Sequence, residues 1–390
     1  MSAGGGRRRN LPPDVRLKVW VRSGGRCVIC NRYLLDGKLT GREATFGELA
    51  HIVGQQTSSG SPRGLDGLDQ QDRDDPENLV LVCDDEHDEL DKKATRDLFS
   101  VDWLRELKRA HEERVRHVTG FSENQSTVVL RMIGRLKGNA VEVDQEAAAA
   151  AVIHSAKRFP RFDLAYDRHG IEIDLRHLAG EVAGNVDYYR TATAVIDEVI
   201  DHKLHEGVAK ERINHVSVFA FARLPLLVYL GSRLDDNVPT DIYQRHRSTE
   251  AWEWPSDDRL GFTIEVPSPE PGTTEGVLII NISGSVQTNE VPGHLAGLPH
   301  FGLTIANATP SPDVVTSRRT LEAFERTFRG LLGEIEASHK QIRLLHTIAA
   351  IPLSTGVVVG RTLDPQVHPS LLVYDRTPAG YVAALEIGRR

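Results

Sequence analysis

At 390 residues with 40% hydrophobic side chains, the chain is too long for one ordinary domain and rich enough in apolar residues for two or three real cores. Its formal net charge of −8 excludes a globally basic polyanion binder, so any nucleic-acid surface must be a local patch. No apolar run of ~18 residues occurs, and Met1 to Arg9 lacks the apolar core of a signal peptide, so a soluble, cytoplasmic protein is expected.

Arg7, Arg8 and Arg9 follow a glycine-rich start and read as a mobile basic arm or a disordered tail. Val15, Val19 and Trp20 recur at helical spacing, and Gly24-Gly25 stops that segment. All three cysteines of the chain then fall in one stretch, as Cys27-x-x-Cys30 and Cys83, with His51 and His87 among them. Two intervening residues let both thiolates of a knuckle face one tetrahedral ion, and Cys83 is a natural third ligand. The same spacing serves redox chemistry, but that chemistry has no need of a third cysteine or of flanking histidines. The clustering therefore points to a metal, and three cysteines so spaced suit a reducing compartment.

The order Cys27-x-x-Cys30, His51, Asn78-x-x-x-x-Cys83-x-x-Glu86-His87 resembles the HNH endonuclease family and its ββα-metal motif. The resemblance implies His51 as general base, Asn78 as the prop of the loop carrying it, and His87 as the ligand of a catalytic Mg2+. It implies metal-assisted hydrolysis of double-stranded DNA, leaving a 5′ phosphate and a 3′ hydroxyl. Two positions depart from the family pattern. Glu86 stands where the fourth Zn2+ ligand is Cys or His, so the structural zinc is expected to be weak or absent. Ala50 stands where an acidic ligand often precedes the base, which leaves Glu48, two positions away on the same strand face, as the candidate carboxylate.

Residues 54–76 are rich in Gly, Ser, Asp and Gln and read as a long loop over the site, with Arg63 a candidate phosphate contact or an exposed loop arginine. Ser100 then caps a helix in which Leu104, Leu107, Val115 and Val118 mark one face. Arg105, Lys108, Arg109 and Arg116 lie largely on another, as a DNA-tracking stripe or a solvated face. These features give an HNH domain over residues 1–120. Residues 121–163, with the apolar run Val128 to Ile133 and the alanine run Ala147 to Ala151, read as a connector with its own strand and helix.

Beyond it the pattern is α/β. Gly170 to Leu175 alternates like a strand, Tyr188 to Leu204 is an amphipathic helix, and His215 to Ala222 is a buried strand. A strand, Pro225-Leu226, then Gly231-Ser232-Arg233-Leu234-Asp235 is echoed about 130 residues later by a strand, Pro352-Leu353, then Gly360-Arg361-Thr362-Leu363-Asp364. Two copies of one α/β unit predict a pseudo-symmetric domain with a cleft at the joint. Val218 to Gly231, Trp252-Glu253-Trp254, Leu278 to Gly284, and Val373-Tyr374-Asp375 with Tyr381 resemble the SAVED domain, two fused CARF-like Rossmann-type units. That resemblance implies a sensor of cyclic di- or trinucleotides in bacterial anti-phage signalling (CBASS) over residues 164–390. The fold class is thus α/β and α+β, multidomain.

Tyr243, Arg245, Arg247, Trp252 and Trp254 supply what a cyclic nucleotide needs, aromatic faces for bases and guanidinium groups for phosphates, although both tryptophans could instead fill the core. Two other functions compete with an activated effector nuclease. A restriction nuclease sensing modified DNA would want a basic C-terminal region, yet beyond Gly120 there are 27 Lys+Arg against 34 Asp+Glu. A non-enzymatic sensor with a decayed nuclease domain is opposed by the retention of His51, Asn78 and His87. Residues up to Gly120 hold 20 Lys+Arg against 21 Asp+Glu, so one copy is a poor DNA binder. Ligand-driven homo-oligomerisation would gather several basic patches on one duplex.

Overall fold

The computed structural model describes residues 10–37, 40, 42–120, 125–136, 138–141, 143–162, 170–181, 185–234, 238–269 and 271–388. The basic arm at Arg7 to Arg9 lies outside the described residues. The chain forms two compact units, Met1–Phe121 and Ser122–Arg390.

In the first unit, α1 (Pro13–Arg22) precedes a two-stranded antiparallel ribbon of β1 (Gly47–His51) and β2 (Leu79–Cys83), followed at once by α2 (Asp84–Asp91) and later by α3 (Val101–Thr119). Pro13 opens α1, and Gly24 and Gly25 stop it at φ of +60° and +66°, a region open to glycine. Every residue of β2 is buried, as its unbroken Leu-Val-Leu-Val-Cys run requires, and it packs with Val19, Leu34, Leu90 and Leu104 in one core. Ser100 Oγ accepts from Trp103 N at the start of α3, as a capping serine should. The buried face of that helix includes Lys108 and His111 as well as Leu104.

The second unit holds two parallel-cored sheets of matching construction. The first is built from β3 (Ser126–Ile133), β6 (Phe159–Arg161), β7 (Ile171–Asp174), β8 (Val216–Phe221) and β9 (Thr240–Ile242), all parallel, with β3 at the centre. A short hairpin, β4 (Arg135–Leu136) and β5 (Asn139–Ala140), and α4 (Gln145–Ala156) follow β3. Helix α5 (Val186–Val199), continued by a π-helical turn into α6 (Glu206–Ala209), leads to β8, and α7 (Leu224–Arg233) links β8 to β9. The second sheet runs β10 (Phe262–Glu265), β12 (His300–Ile305), β11 (Glu275–Asn281), β13 (Leu344–Ala350), β14 (Ser370–Thr377), β15 (Gly380–Ile387), with antiparallel edges. Helix α8 (Arg318–Ser338) precedes β13, and α9 (Leu353–Arg361) links β13 to β14.

The orders β7-β3-β8-β9 and β12-β11-β13-β14 correspond strand for strand, and α7 corresponds to α9. The repeated glycines meet each other's helix. A Cβ on Gly231 would stand 2.0 Å from Val357 O, and one on Gly360 would stand 1.8 Å from Val228 O. Only hydrogen at these two positions lets the helices cross so closely, which is why the motif repeats. Residues 121–163, read from sequence as a connector, are instead integral to the second unit. Their strand β3 is flanked by β6, β7 and β8 because its apolar run is buried on both faces.

Candidate functional site

The first site lies where β1, β2 and α2 meet. His51 ends β1, and its Nε2 lies 3.0 Å from Asp74 Oδ1. Asn78 is buried just before β2; its Oδ1 accepts from Val53 N at 2.9 Å, and its Nδ2 donates to Val53 O and Arg73 O, both at 2.8 Å. One amide thus ties the chain just after His51 to the chain just before Asp74. His87, on α2, presents Nδ1 to Glu48 Oε2 at 2.9 Å and Nε2 to Asp91 Oδ2 at 3.9 Å. His51, His87 and Asp91 line one groove of about 610 Å³, together with Arg16, which the sequence reading did not single out.

The loop of residues 54–76 is wound around two arginines. Arg73 is fully buried and donates to the carbonyls of Gly54, Gly64 and Leu68 at 2.5, 3.1 and 3.0 Å. Arg63, expected to meet phosphate, donates to the carbonyls of Ile52, His51 and Leu90 at 2.6, 3.2 and 3.2 Å and faces Asp91 at 3.7 Å, with its side chain 8% exposed. Its guanidinium is spent on the protein's own backbone, which corrects that expectation. Arg109 is held by Glu106 and Glu113, and Arg105 stands 3.9 Å from Asp102. Carboxylates one turn away thus interrupt the basic stripe of α3.

Cys27, Cys30 and Cys83 have their sulfurs within 4.8 Å of one another, with Cys30 and Cys83 at 3.9 Å. In a tetrahedron of ~2.3 Å zinc–sulfur bonds the sulfurs stand about 3.8 Å apart, so this donor set fits Zn2+. Burial pushes the Cys27 thiol up to about 11 and raises Cys83 as well, a cost that a bound cation would reverse. Glu86, expected as the fourth ligand, is not part of this donor group among the described residues; it turns its backbone N–H to Cys83 instead. The His87 and Glu48 donors face each other, a nitrogen–oxygen pair that fits a divalent cation.

The second site is a cleft of about 500 Å³ at the carboxyl ends of β8 and β13, where α7 and α9 begin. Such ends, where helices on two units start side by side, are where open α/β sheets take ligands. Arg245 and Arg247 line it with Gln244, Tyr374, Asp375 and Tyr381. Arg245 is 3.3 Å from Glu250, and Arg247 is exposed. Gln244 Oε1 accepts from Ser354 N at the start of α9, joining the two sheets' connections.

The aromatic expectations are corrected. Tyr243 stacks on Phe219 at 4.3 Å, and Trp252 meets the same ring edge-on at 5.3 Å, both inside a closed core. Residues 250–261 form no strand, so Trp252 and Trp254 share no strand face; Trp254 lines a separate cavity of about 150 Å³ beside Asp241 and Arg318.

The sequence reading missed the floor of the cleft. Arg223, 2% exposed, donates from Nε to Glu181 at 2.8 Å and from Nη1 to Asp375, whose Oδ2 also accepts from Tyr189 Oη at 2.6 Å. Burial raises the Tyr189 hydroxyl well above its ordinary range and so keeps it a donor. Arg223 lies immediately after an apolar strand, a position that gave no sign of burial with two carboxylates. Among the described residues no helix is long and apolar enough to cross a membrane.

No curated protein matches the chain. The Acinetobacter baumannii Cap4 SAVED/CARF-domain containing receptor with the cyclic trinucleotide 2′3′3′-cAAA is 11% identical at a TM-score of 0.46, over 74% of this chain and 55% of that one. The same receptor with 3′3′3′-cAAA gives 12% and 0.45 over 73% and 61%. The Moraxella osloensis Cap4 receptor gives 11% and 0.43 over 78% and 63%, so the chain spans less than two thirds of each of these relatives. Residues 196–387 match the family described as "SAVED: SMODS-associated and fused to various effectors sensor domain".

Proposed function

We propose that the chain is a metal-dependent DNA endonuclease switched on by a cyclic oligonucleotide, acting in bacterial anti-phage defence. The observation that carries the catalytic half is the Asn78 amide, which holds the end of β1 so that His51 faces the same groove as His87. A neutral His51 takes a proton from water, and the resulting hydroxide attacks phosphorus in line. A divalent cation such as Mg2+, held by His87 and Glu48, would supply charge neutralisation at the phosphate and the leaving oxygen. Asn78 acts by position alone, and Arg63 and Arg73 keep the surrounding loop in place. Zn2+ on Cys27, Cys30 and Cys83 would serve only to fold the knuckle.

The sensing half is supported by the SAVED match and by a cleft whose Arg245 and Arg247 can meet phosphates. The ligand must bind the active arrangement more tightly than the inactive one, and self-association of several chains on one duplex is the arrangement we favour.

The test is plasmid cleavage by the purified chain in Mg2+, with and without cyclic di- and trinucleotides. Cleavage that needs one of these ligands, and that falls by about 10²–10⁴-fold in His51→Ala, is the expected result. Cleavage at the parental rate by that variant would remove His51 from its role. Light scattering of the same mixtures should show the mass rise as activity appears; an unchanged mass would refute assembly.

A further inference from the structure

We propose that Asp74 is the positioning residue for His51: it fixes the imidazole as the Nε2–H tautomer and leaves the lone pair on Nδ1 to accept the proton of water. The meaning of that lone pair rests on the nuclease reading above, whereas the tautomer rests on geometry alone. An ionised carboxylate has only acceptors to offer, so the ring nitrogen that stands 3.0 Å from Asp74 Oδ1 must carry a hydrogen. The carboxylate is itself oriented, because Gln55 Nε2 donates to Oδ1 at 3.1 Å and approaches Oδ2 at 3.4 Å.

Both partners sit on restrained backbone. The carbonyl of His51 accepts from Arg63 Nη2 at 3.2 Å, and the carbonyl of Arg73, next to Asp74, accepts from Asn78 Nδ2 at 2.8 Å. Because Asn78 also brackets Val53 through its N–H and its carbonyl, one buried amide holds the segments of both the base and its partner. That explains why a neutral Asn, rather than another titratable group, occupies the centre of the site. Once Nδ1 has taken a proton the ring is a cation, and an ionised Asp74 stabilises it, as the buried carboxylate does in hydrolase triads.

The test is Asp74→Asn in the full chain. An Asn can turn its NH₂ toward Nε2, which then has to accept, so the ring is driven to the Nδ1–H form and the base is lost. With plasmid, Mg2+ and the activating member of a panel of cyclic di-AMP, cyclic di-GMP and cyclic tri-AMP, kcat should fall by about 10²–10⁴-fold at unchanged KM and melting temperature. In ¹⁵N-histidine spectra, parental His51, identified by its loss in His51→Gln, should show the Nε2–H pattern and Asp74→Asn the other. Parental rates in Asp74→Asn, or an Nδ1–H ring in the parent, would overturn the proposal. If the parent cuts no DNA with any ligand the nuclease reading fails, and the parental spectrum still decides the tautomer. Should the variant not fold, that same spectrum decides it too.

Discussion

Replacing Gly360 with alanine sets two known effects against each other at one atom. In a helix, alanine is favoured over glycine by about 1 kcal/mol, so at an open position the change stabilises. At Gly360 the new Cβ would stand 1.8 Å from Val228 O on α7, where ordinary contact begins at 3.4 Å. The obstacle is backbone on the facing helix, so no side-chain rotation relieves it, and α7 and α9 must part by roughly 1.5 Å. A gap of even ~1 Å forfeits up to about half of each dispersion contact, and the contacts at risk include the buried Leu227, Val228, Val357 and Val358. Overpacking of this kind costs up to about 3 kcal/mol, leaving a net loss of about 2 kcal/mol after the propensity gain. Gly330, on an exposed position of α8 with nothing within 4 Å, is the control and should gain up to ~1 kcal/mol on the same change. Urea unfolding followed by far-UV circular dichroism reads both signs. A Gly360→Ala midpoint that rises with that of Gly330→Ala would refute the close helix crossing.

Arg63→Ala should destabilise the first unit by about 3 kcal/mol, since it strips donors from several carbonyls at once and leaves Asp91 uncompensated. Arg109→Ala should leave the melting temperature essentially unchanged, as loss of an exposed pair does; thermal melts compare the two. Metal analysis of purified protein should find zinc that is lost in Cys83→Ser and kept in Glu86→Ala; loss in the latter would restore Glu86 as a ligand. Burial holds His215 down to about 4, and its Nδ1 pairs with Thr127 Oγ1 at 2.8 Å. The unfolded chain therefore binds the extra proton, and the stability from this group, complete above pH ~6.5, should fade as pH falls toward 4. Equilibrium unfolding of His215→Gln should show a flatter slope across that window.

What sequence alone could settle was whatever depends on spacing and hydrophobic period. The three thiols come together because the knuckle and β2 are written in local order, and the halves of the second unit are recognisable because Gly231 and Gly360 recur in matching contexts. Glu48 was reachable from strand alternation, and it does face His87. What tertiary structure alone decided were the fates of long polar side chains and aromatics, whose reach exceeds their local pattern. Arg63, Arg73 and Arg223 look like exposed arginines and are consumed inside the protein, because buried carbonyls and carboxylates distant in sequence must be paired. Trp252 and Tyr243 look like base-stacking platforms and fill a core around Phe219, since burying a large ring is worth more than exposing it. The β3 segment reads as a connector because it follows a change in composition, and it becomes a central strand because β6, β7 and β8 cover its flanks. Asp74 had no signal at all: among the four aspartates of residues 69–75, only the turn fixed by Asn78 decides which one reaches His51.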